Sequence, residues 1–309
     1  MRTLPFFRLR SLKARILIAA LLIILLGMWS LSYFASRMLR EDMEHVLGDQ
    51  QLSTVTLIAA QIDEEIKSRA RALFLSNILA AQAIAQGPAQ AQNFVDGRIN
   101  LHALFNGGIL IVDATGRLLA DSTFPTERPA ALLAQNDAIA TTLREGTSAI
   151  SRPLPGRTPK AASLTISTPI FSEHNEILGA LVGITDIERA SFLDPIARNR
   201  YGKTGLYLLV SPSHRLIITS TDRHRVMEIV PTFGKEIDTA TNTFLSGTEG
   251  STVHHDLAGI EVLASAKAIP SANWMVIADL PTAEAFEPIQ DMQRRMWLVT
   301  GLLSLAIIT

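Results

Sequence analysis

The chain contains no cysteine. That absence removes disulfide scaffolds, thiolate-bound zinc, iron–sulfur clusters and thiol nucleophiles together. Aromatic residues are scarce: three tyrosines and three tryptophans occur in 309 residues, and none of either lies between residues 35 and 200. Such a chain offers little of a stacking platform for bases. Its formal net charge of -1 also argues against a nucleic-acid binder relying on a basic surface. There is no Asn-x-Ser/Thr sequon, Walker loop, Gly-x-Ser-x-Gly or His-Glu-x-x-His. No motif therefore proposes catalysis, and no cofactor is expected.

What is present in excess is apolar sequence, with 48% hydrophobic residues and a mean hydropathy of +0.24. The excess sits at the ends. Ile16 to Phe34 is free of charge and approaches the roughly 30 Å of a bilayer core at about 1.5 Å per residue. Arg2, Arg8, Arg10, Lys13 and Arg15 precede it, and no acid occurs before Glu41. The positive-inside rule puts this end in the cytoplasm. Trp29, Tyr33 and Phe34 fit an interface belt, and the run is long for the rival reading, a cleaved signal peptide. Met296 to Thr309 is a second uncharged run, read as the start of another membrane helix that stops in mid-pattern. The region between carries all the acids and has an excess of six over its basic residues. An acidic, cysteine-free segment between two membrane helices suits a bacterial periplasm.

Val55, Ile58, Ile62, Ile66, Ala70 and Leu73 recur at spacings of three and four, the apolar face of a helix. Asp63, Glu64, Glu65, Lys67 and Arg69 are placed on its other side. This helix is expected from about Arg40 to before Gly87-Pro88, nearly continuous with the first span, and is a candidate for pairing with its own copy. Beyond it the period changes. Gly108–Ser122 reads as strand, turn, strand, Ala130–Leu143 as helix, and Ala149–Ser151 as the start of a strand. Arg152–Pro159 holds three prolines and is expected to be irregular. Ser163–Phe171 and Ile177–Ile187 follow as strands. The same order returns about 93–101 residues on: Gly205–Ser220, Gly247-Thr248, Leu263–Ile269 and Trp274–Leu280. A repeat of this kind predicts two α+β modules with mostly antiparallel sheets. Asp186 and Asp279 are paired by it. His254-His255-Asp256 reads as a solvated turn rather than a chelate, since neighbours on a strand point oppositely.

Anchor, long helix, two tandem sheet modules, short helix and second anchor resemble the double Cache (PAS-like) extracellular sensor of bacterial two-span receptors. The resemblance covers about residues 35–290. It rests on Gly108-Ile-Leu-Ile-Val-Asp-Ala-Thr-Gly116, Ser167–Gly179 and Leu263–Ile269. The stretch from Phe244 to Ile289 resembles the membrane-proximal half found before diguanylate cyclase (GGDEF) and phosphodiesterase (EAL) outputs. The implied fold is α+β: a long N-terminal helix plus two tandem Cache modules with antiparallel sheets, flanked by transmembrane helices. The implied division is a cytoplasmic tail at 1–15, a membrane helix at 16–34, the long helix at 35–90, a membrane-distal module at 91–194, a membrane-proximal module at 195–290, and the start of a second membrane helix at 291–309. The implied location is the bacterial inner membrane, with residues 35–295 periplasmic. The implied function is ligand sensing in the distal module, passed across the membrane to an output beyond this chain. Alternatives are the N-terminal part of a membrane-bound diguanylate cyclase or histidine kinase, and an anchored binding module without output.

Some members of this family bind amino acids through a Tyr-and-Arg-Trp-Tyr cluster before an aspartate. Asp186 stands where that aspartate would, but the aromatic cluster is absent. Its repeat partner Asp279 points instead to a structural role at a strand end. Loop cations supply another charge partner. Arg128, Arg144, Arg152, Arg157 and Lys160 lie near the distal loops, and Arg152 and Lys160 flank the proline-rich segment. An arginine fork binds a carboxylate in two parallel hydrogen bonds. The expected ligand is therefore a small organic anion, with Ser122, Thr165 and Ser167 as hydroxyl donors. Membrane lipid and a second copy of the chain are the other expected partners, and nucleic acid is not.

Overall fold

The computed structural model describes residues 12–122, 133, 136–155, 162–230, 240–256 and 259–308. The helices are α1 (Leu12–Leu75), α2 (Asn77–Ala85), α3 (Pro88–Asp96), α4 (Ile99–Leu104), α5 (Asp137–Glu145), α6 (Asp194–Ala197), α7 (Ala240–Leu245), α8 (Thr282–Ala285) and α9 (Glu287–Ile308). The distal strands are β1 (Ile109–Asp113), β2 (Leu118–Asp121), β3 (Ala149–Ile150), β4 (Leu154–Pro155), β5 (Ala162–Phe171) and β6 (Ile177–Asp186). The proximal strands are β7 (Leu206–Ser211), β8 (Leu216–Ser220), β9 (Gly250–His255), β10 (Glu261–Ile269) and β11 (Trp274–Pro281). The chain divides into two compact units, Met1–Leu47 with Thr282–Thr309, and Gly48–Pro281.

Within the second unit the sheets share one antiparallel order. The distal sheet runs β2-β1-β6-β5-β3, with β4 also on β5, and the proximal sheet runs β8-β7-β11-β10-β9. The repeat seen in sequence is thus a repeat of topology. Helix α1 packs on one face of both sheets. Val55, Ala59, Ile62, Ile66 and Leu73 join one continuous core with Ile109, Ile111, Leu164, Ile166 and Leu181 of the distal sheet and Tyr207, Leu209, Val276 and Ala278 of the proximal one. Each sheet's other face has its own cluster. Leu110, Val112, Ile139, Val182 and Ile184 form the distal one. Leu208, Val210, Ile217, Phe244 and Ile277 form the proximal one. Two-residue alternation along each strand produces this division. Buried Gln51 ties α1 to the proximal sheet, its Nε2 donating to the carbonyls of Ala278 at 2.9 Å and Leu263 at 3.2 Å. Gly183 is required where α4 ends: a Cβ there would stand 2.4 Å from the Phe105 ring.

In the first unit α1 and α9 run antiparallel along a polar seam. The Trp29 Nε1–H donates to Ser304 Oγ at 3.0 Å, Ser32 and Thr300 hydroxyls meet at 2.8 Å, and Gln293 Nε2 donates to the Ser36 carbonyl at 3.1 Å. The Trp29 and Trp297 rings stand 5.6 Å apart, and Arg40 lies over the Phe286 ring. Among the described residues one helix, near the N-terminus, is long and apolar enough to cross a membrane. In such a setting small hydroxyl residues allow close approach and supply hydrogen bonds between helices.

Several expectations are corrected. The long helix breaks at Ser76, whose hydroxyl donates back to the Ala72 carbonyl at 3.0 Å while Asn77 Nδ2 donates to Pro169 O at 2.6 Å. Competition of a side chain for helix backbone favours such a break. The proline-rich segment is not wholly irregular: Leu154 and Pro155 pair with Ser163 and Ala162, an edge position where proline's missing N–H costs little. His254 and His255 lie on strand β9 rather than in a turn, paired with Val262 and Glu261. Arg69 is buried, not on the solvated side of α1. It follows Ile66 by three and precedes Leu73 by four, so it shares their face.

Candidate ligand-binding site

The distal sheet face away from α1 is apolar except along β5. Leu164, Ile166 and Ile170 point into the core shared with α1, so Ser163, Thr165 and Ser167 point to the opposite side. There Asn136 caps α5, accepting from the Ile139 N–H at 3.3 Å, and donates through Nδ2 to Thr165 Oγ1 at 2.7 Å. Thr142 donates to the Ser167 carbonyl at 3.3 Å. Ser151 exchanges two bonds with the Thr165 backbone, donating N–H to its carbonyl at 2.9 Å and accepting its N–H on Oγ at 3.0 Å. Ser167 differs. Its residue is fully buried, and its Oγ has no hydrogen-bond partner among the described residues. A buried hydroxyl without a partner costs about 1–3 kcal/mol, so this one marks a place in the row where an acceptor or donor is wanted.

The other sequence candidates fall in different places. Arg152 is exposed, and its backbone N–H donates to Asp137 Oδ2 at 3.4 Å. Arg144 pairs with Glu145 at the surface. Ser122 closes the end of the β1–β2 pair, donating to the Ile109 carbonyl at 2.9 Å and accepting the Ile109 N–H at 2.8 Å. Asp186 ends β6 and accepts the Glu188 N–H at 3.0 Å, with Arg189 Nε at 3.6 Å. Its own backbone is bracketed by Asn106, which accepts the Asp186 N–H at 2.7 Å and donates to its carbonyl at 3.1 Å. Arg128, Arg157 and Lys160 lie outside the described residues. The structure thus brings Thr165 and Ser167 together on one face and leaves Ser122 at another edge of the sheet. Asn136, Thr142 and Ser151 are additions. Asn136 before the Asp137-Ala-Ile start carries a helix-cap signature readable from sequence, whereas Thr142 and Ser151 acquire their place only through β5.

Asp186 and Asp279 are not equivalent. Asp279 pairs with Leu206 and Ala264, and matching the two sheets face for face puts Ile184 in that place, two residues before Asp186. Asp279 is 4% exposed, with Oδ1 unpartnered among the described residues. Burial pushes its carboxyl up to about 7, against the pull of Arg225 and with the help of Asp256. A cavity of about 230 Å³ lies where the modules meet, between Ala162, Ile187, Thr219 and Val226, with Glu188 and Arg223 at its rim. Among the described residues no group of three His, Asp or Glu is placed to hold a metal ion.

Comparison with solved structures returns sensor domains. The ligand-binding domain of Mlp24 with asparagine aligns at 16% identity over 81% of this chain and 98% of its own, with a TM-score of 0.62. The ligand-binding domain of the Pseudomonas aeruginosa PAO1 amino-acid chemoreceptor PctC with GABA aligns at 14% identity over 75% and 99%, with a TM-score of 0.59. The extracellular domain of the putative histidine kinase mmHK1S-Z3 aligns at 13% identity over 80% and 98%, with a TM-score of 0.62. At such identities the likeness is one of fold. A comparison with curated proteins gives no match. The Cache domain family model matches residues 36–289, the stretch that holds the later part of α1 and both sheets, and the chain therefore belongs to the Cache domain family.

Proposed function

We propose that this chain is the sensory part of a two-span membrane receptor, and that a small carboxylate-bearing molecule binds on the distal sheet face. The observation that carries this reading is the buried, unpartnered Ser167 hydroxyl in a polar row of Asn136, Thr165 and Ser151 on an otherwise apolar face. Arg152, which follows Ser151 of this row in the chain, would supply the countercharge, and Lys160 is a second candidate from the sequence alone. Solved neighbours that hold asparagine or GABA carry a carboxylate in their ligands, which agrees with the anion reading. Tyr and Trp are absent from residues 35–200, so the polar row must replace an aromatic cluster. Of the neighbours named above, one is part of an amino-acid chemoreceptor and one of a putative histidine kinase. They favour such an output over a diguanylate cyclase. The signal available to any output is limited to the ligand's difference in affinity between two conformations.

Thermal-shift screening of the full chain in detergent against carboxylates, amino acids, amines and purines tests the reading. Carboxylates, amino acids included, should raise the melting temperature. Arg152 is exposed in the ligand-free protein, where an ion pair is screened by solvent, so Arg152→Ala should weaken binding measurably while the ligand-free protein melts as before. Asn136→Ala should weaken it too. Lys267→Ala, which removes a proximal ion pair with Glu249, should leave affinity unchanged. Hits confined to cationic amines would overturn the carboxylate reading.

A further inference from the structure

Arg69 leaves part of its guanidinium unused. The residue is 8% exposed. Its Nε–H donates to the Leu104 carbonyl at 3.3 Å, and Nη1 donates to the Glu65 carbonyl at 3.2 Å and to the Glu65 carboxylate. The cation lies 4.5 Å from the Phe192 ring centroid. Nη2 carries two of the five N–H donors of an arginine, and it makes no hydrogen bond among the described residues. Arg69 lines a cavity of about 320 Å³ with Leu104, Asn106, Thr185, Ser191 and Asp194. This is far more than one water, whose share of liquid volume is about 30 Å³.

The walls sort by what they can still offer. Thr185 is 3% exposed and its hydroxyl is not engaged among the described residues. Ser191 Oγ accepts the Leu193 N–H at 3.3 Å and keeps its own proton to donate. Asn106 is fully committed to Asp186 and Ala190. Asp194 accepts the Ser191 N–H and pairs with Arg198. Two N–H groups and two hydroxyls therefore remain as donors around one space, matching the lone pairs of a carboxylate. The charges already present, Arg69 with Glu65 and Arg198 with Asp194, are each paired, so the attraction for a ligand comes from these four donors, which one carboxylate saturates, leaving none for a second.

We propose that this cavity is a second ligand site, taking a small monocarboxylate between α1 and the end of β6. The proposal does not rest on the distal-face reading, because Arg69 and Thr185 are on the opposite side of the sheet from Thr165 and Ser167. Occupancy would pin α1 to the segment after β6, so the site would act directly on the helix that leads out of the sensor.

The test uses the full chain in lipid nanodiscs at fixed pH and ionic strength. Acetate, propionate and lactate are titrated, with binding read by saturation-transfer NMR and by melting temperature. Succinate and benzylamine serve as charge controls. Saturable binding of at least one monocarboxylate is expected, with succinate weaker and benzylamine silent. Thr185→Val with Ser191→Ala should weaken it more than tenfold, and Ala103→Leu, which adds bulk at an exposed residue of the cavity wall, should weaken it too. Asn136→Ala should leave it unchanged, which separates a failure here from a failure of the distal site. Absence of saturable binding for all three monocarboxylates means that the cavity holds water only and overturns the proposal. Binding that is unchanged in both cavity variants overturns it equally.

Discussion

Asp279 shows at the scale of one residue how burial converts into a pH dependence. Its carboxyl is raised from 3.8 to about 7, first by desolvation. The native state thus keeps a proton that the unfolded chain releases near pH 4. Stability from this group is fully present below the unfolded value and is lost as pH rises through the folded one. At about 1.4 kcal/mol per pKa unit the effect is a few kcal/mol. The carboxylates held low, Asp63, Asp113 and Glu249, lose their contribution only at more acidic pH, which leaves a clear window. The full chain should melt higher at pH 5 than at pH 7.5, and Asp279→Asn should remove most of that difference in scanning calorimetry. An identical pH dependence in wild type and variant would show that Asp279 is charged in the native state. Arg69 carries the complementary lesson. Its spacing puts it on the apolar face of α1, and only its contacts with Glu65, Leu104 and Phe192 explain why a cation can be there.

Among elements, α1 is the one whose two sides are most unlike. Val55, Ile62 and Leu73 are fully buried, whereas Leu57 is 73% and Leu75 72% exposed. Eighteen residues are five whole turns, so Leu57 and Leu75 share one solvent-facing side of the helix. Ile78 of α2 is exposed to the same degree, at 72%. The pairing of two chains along this side, expected from sequence, would cover it. Because the chain lacks cysteine, a single Leu57→Cys variant can report it: disulfide-linked dimer should form on mild oxidation. Leu57→Asp should shift the full chain toward monomer in sedimentation. A monomeric wild type at micromolar concentration would count against pairing through this face. The seam between α1 and α9 was not legible in the same way. Ser32, Ser36, Thr300 and Ser304 read as tolerable polar residues in apolar runs, and their facing partners are hundreds of residues away.

At the scale of the whole molecule the charge asymmetry of the ends makes the placement testable. Five basic residues precede the first apolar run and no acid does, and positive charge is retained on the cytoplasmic side. A reporter fused at residue 2 should be cytoplasmic and an alkaline phosphatase fused at residue 200 should be active in the periplasm. A well-expressed but inactive fusion at residue 200 would reverse the topology. The Gly48–Pro281 unit bears the sensor regardless of that outcome, because both sheets share the core built on α1.

Sequence by itself determined the local order of this protein. The three-and-four spacing from Val55 to Leu73 specified a helix with one buried face, and the return of Gly108–Ser122 as Gly205–Ser220 specified two like modules, because periodicity and turn residues act over short stretches. Thr165 and Ser167 were also within reach, since alternation along β5 assigns them a face. What that face meets was decided only by tertiary structure. Asn136 reaches Thr165 across 29 residues, Asn106 reaches Asp186 across 80, and the register that separates Asp279 from Asp186 exists only once the strands pair. Side chains distant in sequence acquire partners, burial and altered proton affinity from packing, and no local pattern encodes which partner is met.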